Sequence, residues 1–148
     1  MLFRSNKYSY GWFGTYASYK YDLRIEEYIR LLGDSGSYLF VGKGYPKSLP
    51  GNVYSSHIPD YDYYTLMSSV NVLLVVYKDI SFSGVIHDGV GLNKDFLANK
   101  LCKDYILKTY SEYYLVKEHK GLFLVSKNGK PKTKTYGWSL YLKKVFYV

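Results

Sequence analysis

The chain has 148 residues, of which 47% are apolar and 22% charged, a composition of folded globular domains rather than disordered tracts. Its formal net charge of +8 favours anionic partners: nucleic acid, anionic headgroups or phosphate-bearing substrates. One cysteine, Cys102, excludes an internal disulfide framework and a cysteine-built zinc site, and no apolar run approaches the length of a transmembrane helix.

The opening residues, MLFRSNKYSYGW, include a basic residue but no apolar signal-peptide core, so a cytoplasmic protein is expected. Residues 8–14 (YSYGWFG) are aromatic-rich and end in glycine, the pattern of a first strand. Residues 15–20 form a loop. Residues 22–32 (DLRIEEYIRLL) are the clearest helix, with Leu23, Ile25, Tyr28, Ile29 and Leu32 near helical spacing and Asp22 able to cap the start. Gly33 ends it, and Asp34-Ser35-Gly36 turns the chain. Residues 37–42 (SYLFVG) read as a second short strand. Lys43-Gly44-Tyr45-Pro46 is a glycine loop, but Gly42-Lys43-Gly44 lacks the Lys-Ser/Thr spacing of a P-loop. Residues 52–56 (NVYSS) are a weak third strand, and Asp60 suits the cap of a helix over 61–68.

Residues 70–77 (VNVLLVVY) are apolar, rich in β-branched side chains and too short for an ordinary helix, so they read as a strand buried on both faces. A polar loop over 78–83 ends at Gly84. Val85, Ile86 and Val90 mark a short helix, and Asp95-Phe96-Leu97 a further strand. In open α/β sheets such a loop lies at the carboxyl end of a strand, where ligands bind, and the amides of a helix N-terminus make an anion site there. Beyond it, residues 101–109 read as a helix, 113–116 as extended, 121–126 (GLFLVS) as a strand and Lys127-Asn128-Gly129-Lys130 as a turn. Residues 127–134 are lysine-rich. Residues 136–147 read as a closing helix, with a strand as the alternative. No internal repeat or domain boundary is evident, so residues 1–148 form one domain in this reading. The alternation of strands and helices calls for an α/β, Rossmann-like domain: a mainly parallel sheet with helices on both faces.

Twenty tyrosines beside the basic charge match the composition of single-strand nucleic-acid binders. Neither residue class concentrates in one segment, and a general compositional bias is the favoured account. His57, His87 and His119 are widely spaced and lack cysteine partners, so no metal site is expected. Cys102 reads as a buried or half-buried small residue. His87, next to Asp88 just after the glycine, invites a catalytic role, while a histidine packed on the helix is the simpler account. The amides of Ser83, Gly84 and Val85 are better candidates for anion binding, with an ordinary tight turn as the alternative.

Tyr77-Lys78-Asp79-Ile80, then Ser83-Gly84-Val85-Ile86-His87-Asp88 and Gly91-Leu92-Asn93-Lys94-Asp95-Phe96, resembles the carboxyl-terminal half of GT-B glycosyltransferases of the family 4 kind. Many members have a strand ending in Tyr, then Arg/Lys-Asp-Ile, Ser-Gly-Val-(Ile/Leu)-His, a small-residue helix, and Gly-Lys-Pro before an apolar strand. Gly42-Lys43-Gly44 is similar to the Val-Gly-x-Gly that ends the family's second strand. Asn52-Val53 followed by His57-Ile58-Pro59-Asp60 resembles its Asn-Val…Pro segment, and Ser68-Ser69-Val70-Asn71-Val72 its Ser-x-Ala-Asp-Val. Trp12-Phe13-Gly14 with Lys20 resembles the first strand and its following lysine, and Trp138 also has family parallels. The resemblance spans residues 8–147.

It implies a half-domain that binds a nucleotide-sugar donor. Lys20 would meet the diphosphate, Gly42 would belong to the donor-binding glycine loop, and His57 with Ile58 would lie against the base. The amides of Ser83, Gly84 and Val85 would hold phosphate oxygens, with His87 beside them. Asp88 takes the place of the second Glu of a Glu-x7-Glu motif, which usually meets the ribose. Ile80 stands at the position of the first Glu, and Tyr16 lies near the place of the arginine that normally accompanies the lysine. The catalytic residue is unassigned, because in GT-B enzymes it comes from the other half. A partner chain or a homodimer would supply the acceptor face, and no metal or other cofactor is implied. The alternative is a nucleic-acid-binding or interaction protein on a Rossmann-like scaffold, supported by the +8 charge and the lysines between Lys127 and Lys144.

Overall fold

A computed structural model of the chain describes residues 7–127, apart from 18, 22–23, 34–36, 56–57 and 81–82. Asp22, Leu23, His57, the Asn128-Gly129 turn, Trp138 and the closing segment therefore lie outside the described residues. In chain order the elements are β1 (Tyr8–Phe13), α1 (Ile25–Leu32), β2 (Tyr38–Val41), β3 (Asn52–Tyr54), α2 (Asp60–Ser68) and β4 (Val70–Val75). Then follow α3 (Gly84–Gly91), β5 (Asp95–Ala98), α4 (Lys100–Thr109), β6 (Leu115–His119) and β7 (Leu122–Ser126).

The strands form one sheet in the order β3-β2-β1-β4-β5-β7-β6. The first five are parallel, and β7 and β6 continue the sheet antiparallel. The described residues thus make an α/β fold with a seven-stranded, mostly parallel sheet and four helices. The order of its parallel part is that of Rossmann-like sheets. From β1 the chain winds outward to β2 and β3, then returns to lay β4 on the other side of β1, so the winding reverses between β1 and β4.

Successive strand residues point to opposite faces, and both faces are apolar. On one face Phe13, Leu39, Val41, Leu73, Val75 and Phe96 pack with Met67 of α2, Ile86 of α3 and Cys102 and Ile106 of α4. On the other, Trp12, Tyr38, Phe40, Leu74 and Leu97 pack with Ile25, Tyr28 and Leu32 of α1. Helices therefore cover both faces, as the alternating pattern predicts. Cys102 is fully buried, as its residue type suggests, and its Sγ accepts a bond from the Tyr77 amide at 3.4 Å.

Local chemistry sets the helix ends. Ser83 Oγ accepts from the Ile86 amide at 3.2 Å and Asn99 Oδ1 from the Cys102 amide at 3.0 Å, so α3 and α4 each have a side-chain N-cap. The regular helix of α1 starts at Ile25, whose amide donates to the Tyr16 hydroxyl at 2.9 Å. The cap of α2 differs from expectation: the helix begins at Asp60 itself, and Pro59, with φ fixed near −58°, occupies the cap position. Two further features are not evident in the sequence. Lys120 and Gly121, at φ 52° and 86°, make a tight hairpin between β6 and β7. Lys94 is buried and donates from Nζ to the Ser68 and Val70 carbonyls at 2.9 and 2.7 Å, a cation placed at the C-terminal end of α2.

Candidate functional site

The cleft begins where β1 and β4 end. Each parallel strand delivers its loop to the same edge of the sheet, and the loops after the two central strands diverge because the winding reverses between them. The gap holds a cavity of about 520 Å³. Gly14, Thr15 and Lys20 line it from the β1 loop, Tyr77 and Asp79 from the β4 loop, and Ser83, Gly84 and Val85 from the start of α3.

The loops around it are tied by their backbones. The Lys78 amide donates to the Lys20 carbonyl at 2.7 Å, and Tyr21 and Tyr77 form an antiparallel bridge. The Tyr16 amide donates to the Lys43 carbonyl at 2.7 Å, which joins the β1 loop to the β2 loop. Their approach needs glycine: a Cβ on Gly42 would lie 2.1 Å from the Gly14 carbonyl oxygen.

A stack of four tyrosines runs through the same loops. Tyr45, Tyr16, Tyr21 and Tyr77 stack in that order, with successive ring centroids 5.4, 5.3 and 5.5 Å apart. The Trp12 ring lies edge-on to Tyr16 and Tyr21. Burial pushes the Tyr45 and Tyr77 hydroxyls well above the ordinary phenol range, and Tyr21 up as well, so this side of the cleft stays neutral. Its charges are the half-buried Lys20 and the exposed Asp79.

At the start of α3, the Ser83 cap takes the Ile86 amide and the Ser83 carbonyl takes the His87 amide. The amides of Gly84 and Val85 have no acceptor within the helix. A Cβ on Gly84 would meet nothing within 4 Å, so the backbone there stands open. One lysine, amides without an acceptor in their own helix and the positive end of a helix dipole are groups that suit an anion such as phosphate.

Four sequence candidates meet in this cleft: Lys20, Ser83, Gly84 and Val85. Gly42 does not line it but supports it, pressed against Gly14. Ile58 packs against the core cluster over α2, α3 and α4 rather than on the cleft. His87 and Asp88 lie farther along α3 and line a separate hollow of about 40 Å³ with Tyr64, Gly91 and Leu92. His87 Nδ1 is 3.3 Å from the Tyr110 hydroxyl. His57 lies outside the described residues.

No family model, curated protein or solved structure matches the chain. Among the described residues no three of His, Cys, Asp and Glu gather as a metal site, and no helix is long and apolar enough to cross a membrane.

Sequence reasoning passed over Tyr19, Tyr21, Tyr77 and Asp79 as lining residues. Tyr77 flanks, and Asp79 lies in, a loop already singled out, so their place at a strand's carboxyl end was a usable signal. The tyrosine stack left no such trace, because its rings come from three separate loops.

Proposed function

We propose that the chain binds a nucleotide-sugar donor, acting as the donor-binding half of a glycosyltransferase of the GT-B kind. The supporting observation is the cleft between the carboxyl ends of β1 and β4, with Lys20 on one side and the open amides of α3 on the other. This is where Rossmann-like sheets bind nucleotides, and the groups present suit a diphosphate. Lys20 and the amides of Gly84 and Val85 hold the diphosphate and offset the charge that grows on it as the glycosidic bond breaks. A partner chain or a second copy supplies the acceptor face and the remaining catalytic groups. The reaction needs no metal if these donors carry the leaving-group charge.

Cations on the loops at this edge of the sheet fit the same reading. Lys20, Lys43 and Lys78 stand on the loops after β1, β2 and β4, and Lys20 lines the cleft. On α4, Lys100 and Lys103 are engaged with Asp104 at 2.9 and 3.1 Å.

Calorimetric titration with UDP-, GDP- and ADP-sugars tests the proposal. Micromolar binding of one donor is expected. Failure of folded protein to bind any of them, together with salt-sensitive binding of single-stranded DNA or RNA, would replace it with the nucleic-acid reading.

A further inference from the structure

We infer that Tyr19 is the base-stacking residue of the cleft, covering the flat face of a nucleobase while Lys20 and the α3 amides hold phosphate. The inference rests on the nucleotide reading above and adds to it the residue that recognises the base.

Four aromatic rings line the cleft: Phe13, Tyr19, Tyr21 and Tyr77. Three are already engaged. Phe13 is 1% exposed and meets Tyr63 edge-on, with centroids 5.5 Å apart. Tyr21 is 3% exposed in the middle of the stack, between Tyr16 and Tyr77. Tyr77 stacks on Tyr21, with centroids 5.5 Å apart. Tyr19 differs from all of them. At 74% exposed it is the most exposed large hydrophobic side chain among the described residues, and none of those residues stacks on its ring.

The fold gives no reason to hold that ring at the mouth of a cleft, since it buries little apolar surface there. Its backbone setting is nevertheless fixed. The adjoining Lys20 donates from its amide to the Ala17 carbonyl at 2.9 Å and accepts from the Lys78 amide at 2.7 Å. An anchored turn therefore presents an open ring next to the lysine of the cleft. Phosphate alone has no planar face to offer such a ring, whereas a nucleoside phosphate joins a planar base to the anion. Stacking on a single ring tolerates any base, so Tyr19 contributes affinity for bases as a class.

The test is titration of UDP, GDP, ADP and inorganic pyrophosphate into the wild type and into Tyr19→Ala, Tyr19→Phe and Lys20→Ala. Because Tyr19 is exposed, Tyr19→Ala is expected to melt at the wild-type temperature. It should weaken the bound nucleoside diphosphate by roughly 5- to 150-fold, the range for one stacked base, and leave pyrophosphate unchanged. Tyr19→Phe should bind as the wild type does, and Lys20→Ala should weaken both ligands. If Tyr19→Ala binds the nucleotide as well as the wild type, the inference fails and the nucleotide reading stands. Equal losses of nucleotide and pyrophosphate, or a Phe variant as weak as the Ala variant, also overturn it, because the side chain would then serve the phosphate or act through its hydroxyl. Binding of no nucleotide by folded wild type removes the reading and the inference together.

Discussion

At Gly42 the chain turns with φ 139°, and the Gly14 carbonyl oxygen occupies the space a Cβ would need. Gly42→Ala should therefore cost about 2–4 kcal/mol in urea denaturation, through strain and the forced separation of two loops. Gly84→Ala, whose new methyl meets open space, should change stability by less than about 0.5 kcal/mol. Similar effects for the two variants would contradict the packing described. Lys94 supplies a second residue-scale prediction. Burial lowers its folded pKa to about 8 from an ordinary value of 10.5. Between those values the unfolded lysine binds more protons than the folded one, so its contribution to stability rises with pH, by about 2 kcal/mol from pH 8 to 10. Lys127, also lowered by burial, acts in the same direction. Toward pH 10 the sign reverses, because the buried Tyr45, Tyr77 and Tyr113 hydroxyls, held well above the phenol range, stay protonated while unfolded tyrosines ionise. Denaturation across this range should show a maximum between about pH 9 and 10, and Lys94→Met should flatten the rise that leads to it.

Among the elements, those with strong local signals were legible in the sequence. The β-branched run of β4 and the spaced apolar residues of α1 each specify their structure, and Ser83-Gly84 marks the start of α3. The β6–β7 hairpin was not legible as such. Its turn places Lys120 at positive φ, a position where Gly or Asn is the usual signal, and the exposed Leu115 and Val116 give β6 no buried face to read. The cap of α1 was hidden for another reason: the acceptor for the Ile25 amide is a hydroxyl nine residues away, on Tyr16. Tyr16→Phe should keep the ring stack and lose that bond, lowering stability by about 1 kcal/mol with little change in ligand affinity. A large loss of affinity would mean that the hydroxyl itself serves the site. Ser83→Ala should cost about 1 kcal/mol through the lost cap and weaken anion binding as α3 frays at the cleft.

For the molecule as a whole, the sheet order turns separate loop motifs into one site. Alternating strands and helices predicted a mainly parallel sheet, but only the order β3-β2-β1-β4-β5 shows that Lys20 and Gly84, far apart in sequence, line the same cleft. The same order leaves Ile58, His87 and Asp88 off it, although all three sit in equally suggestive sequence contexts. Periodicity along a chain reports which face a residue takes, not which loops converge. In the proposed site the open amides of α3 and Lys20 hold the phosphates of a nucleotide-sugar. Gly84→Pro is a sharp probe of it, because proline is well tolerated at the first position of a helix and Ser83 already has the extended backbone that a following proline requires. The substitution removes one amide donor and leaves the helix in place. The most direct measurement is therefore calorimetric titration of the donor that the wild type binds into Gly84→Pro and Lys20→Ala, with melting curves to show that both are folded. At least tenfold weaker binding by both folded variants is the predicted result; wild-type affinity in both would place the ligand elsewhere and overturn the proposed site.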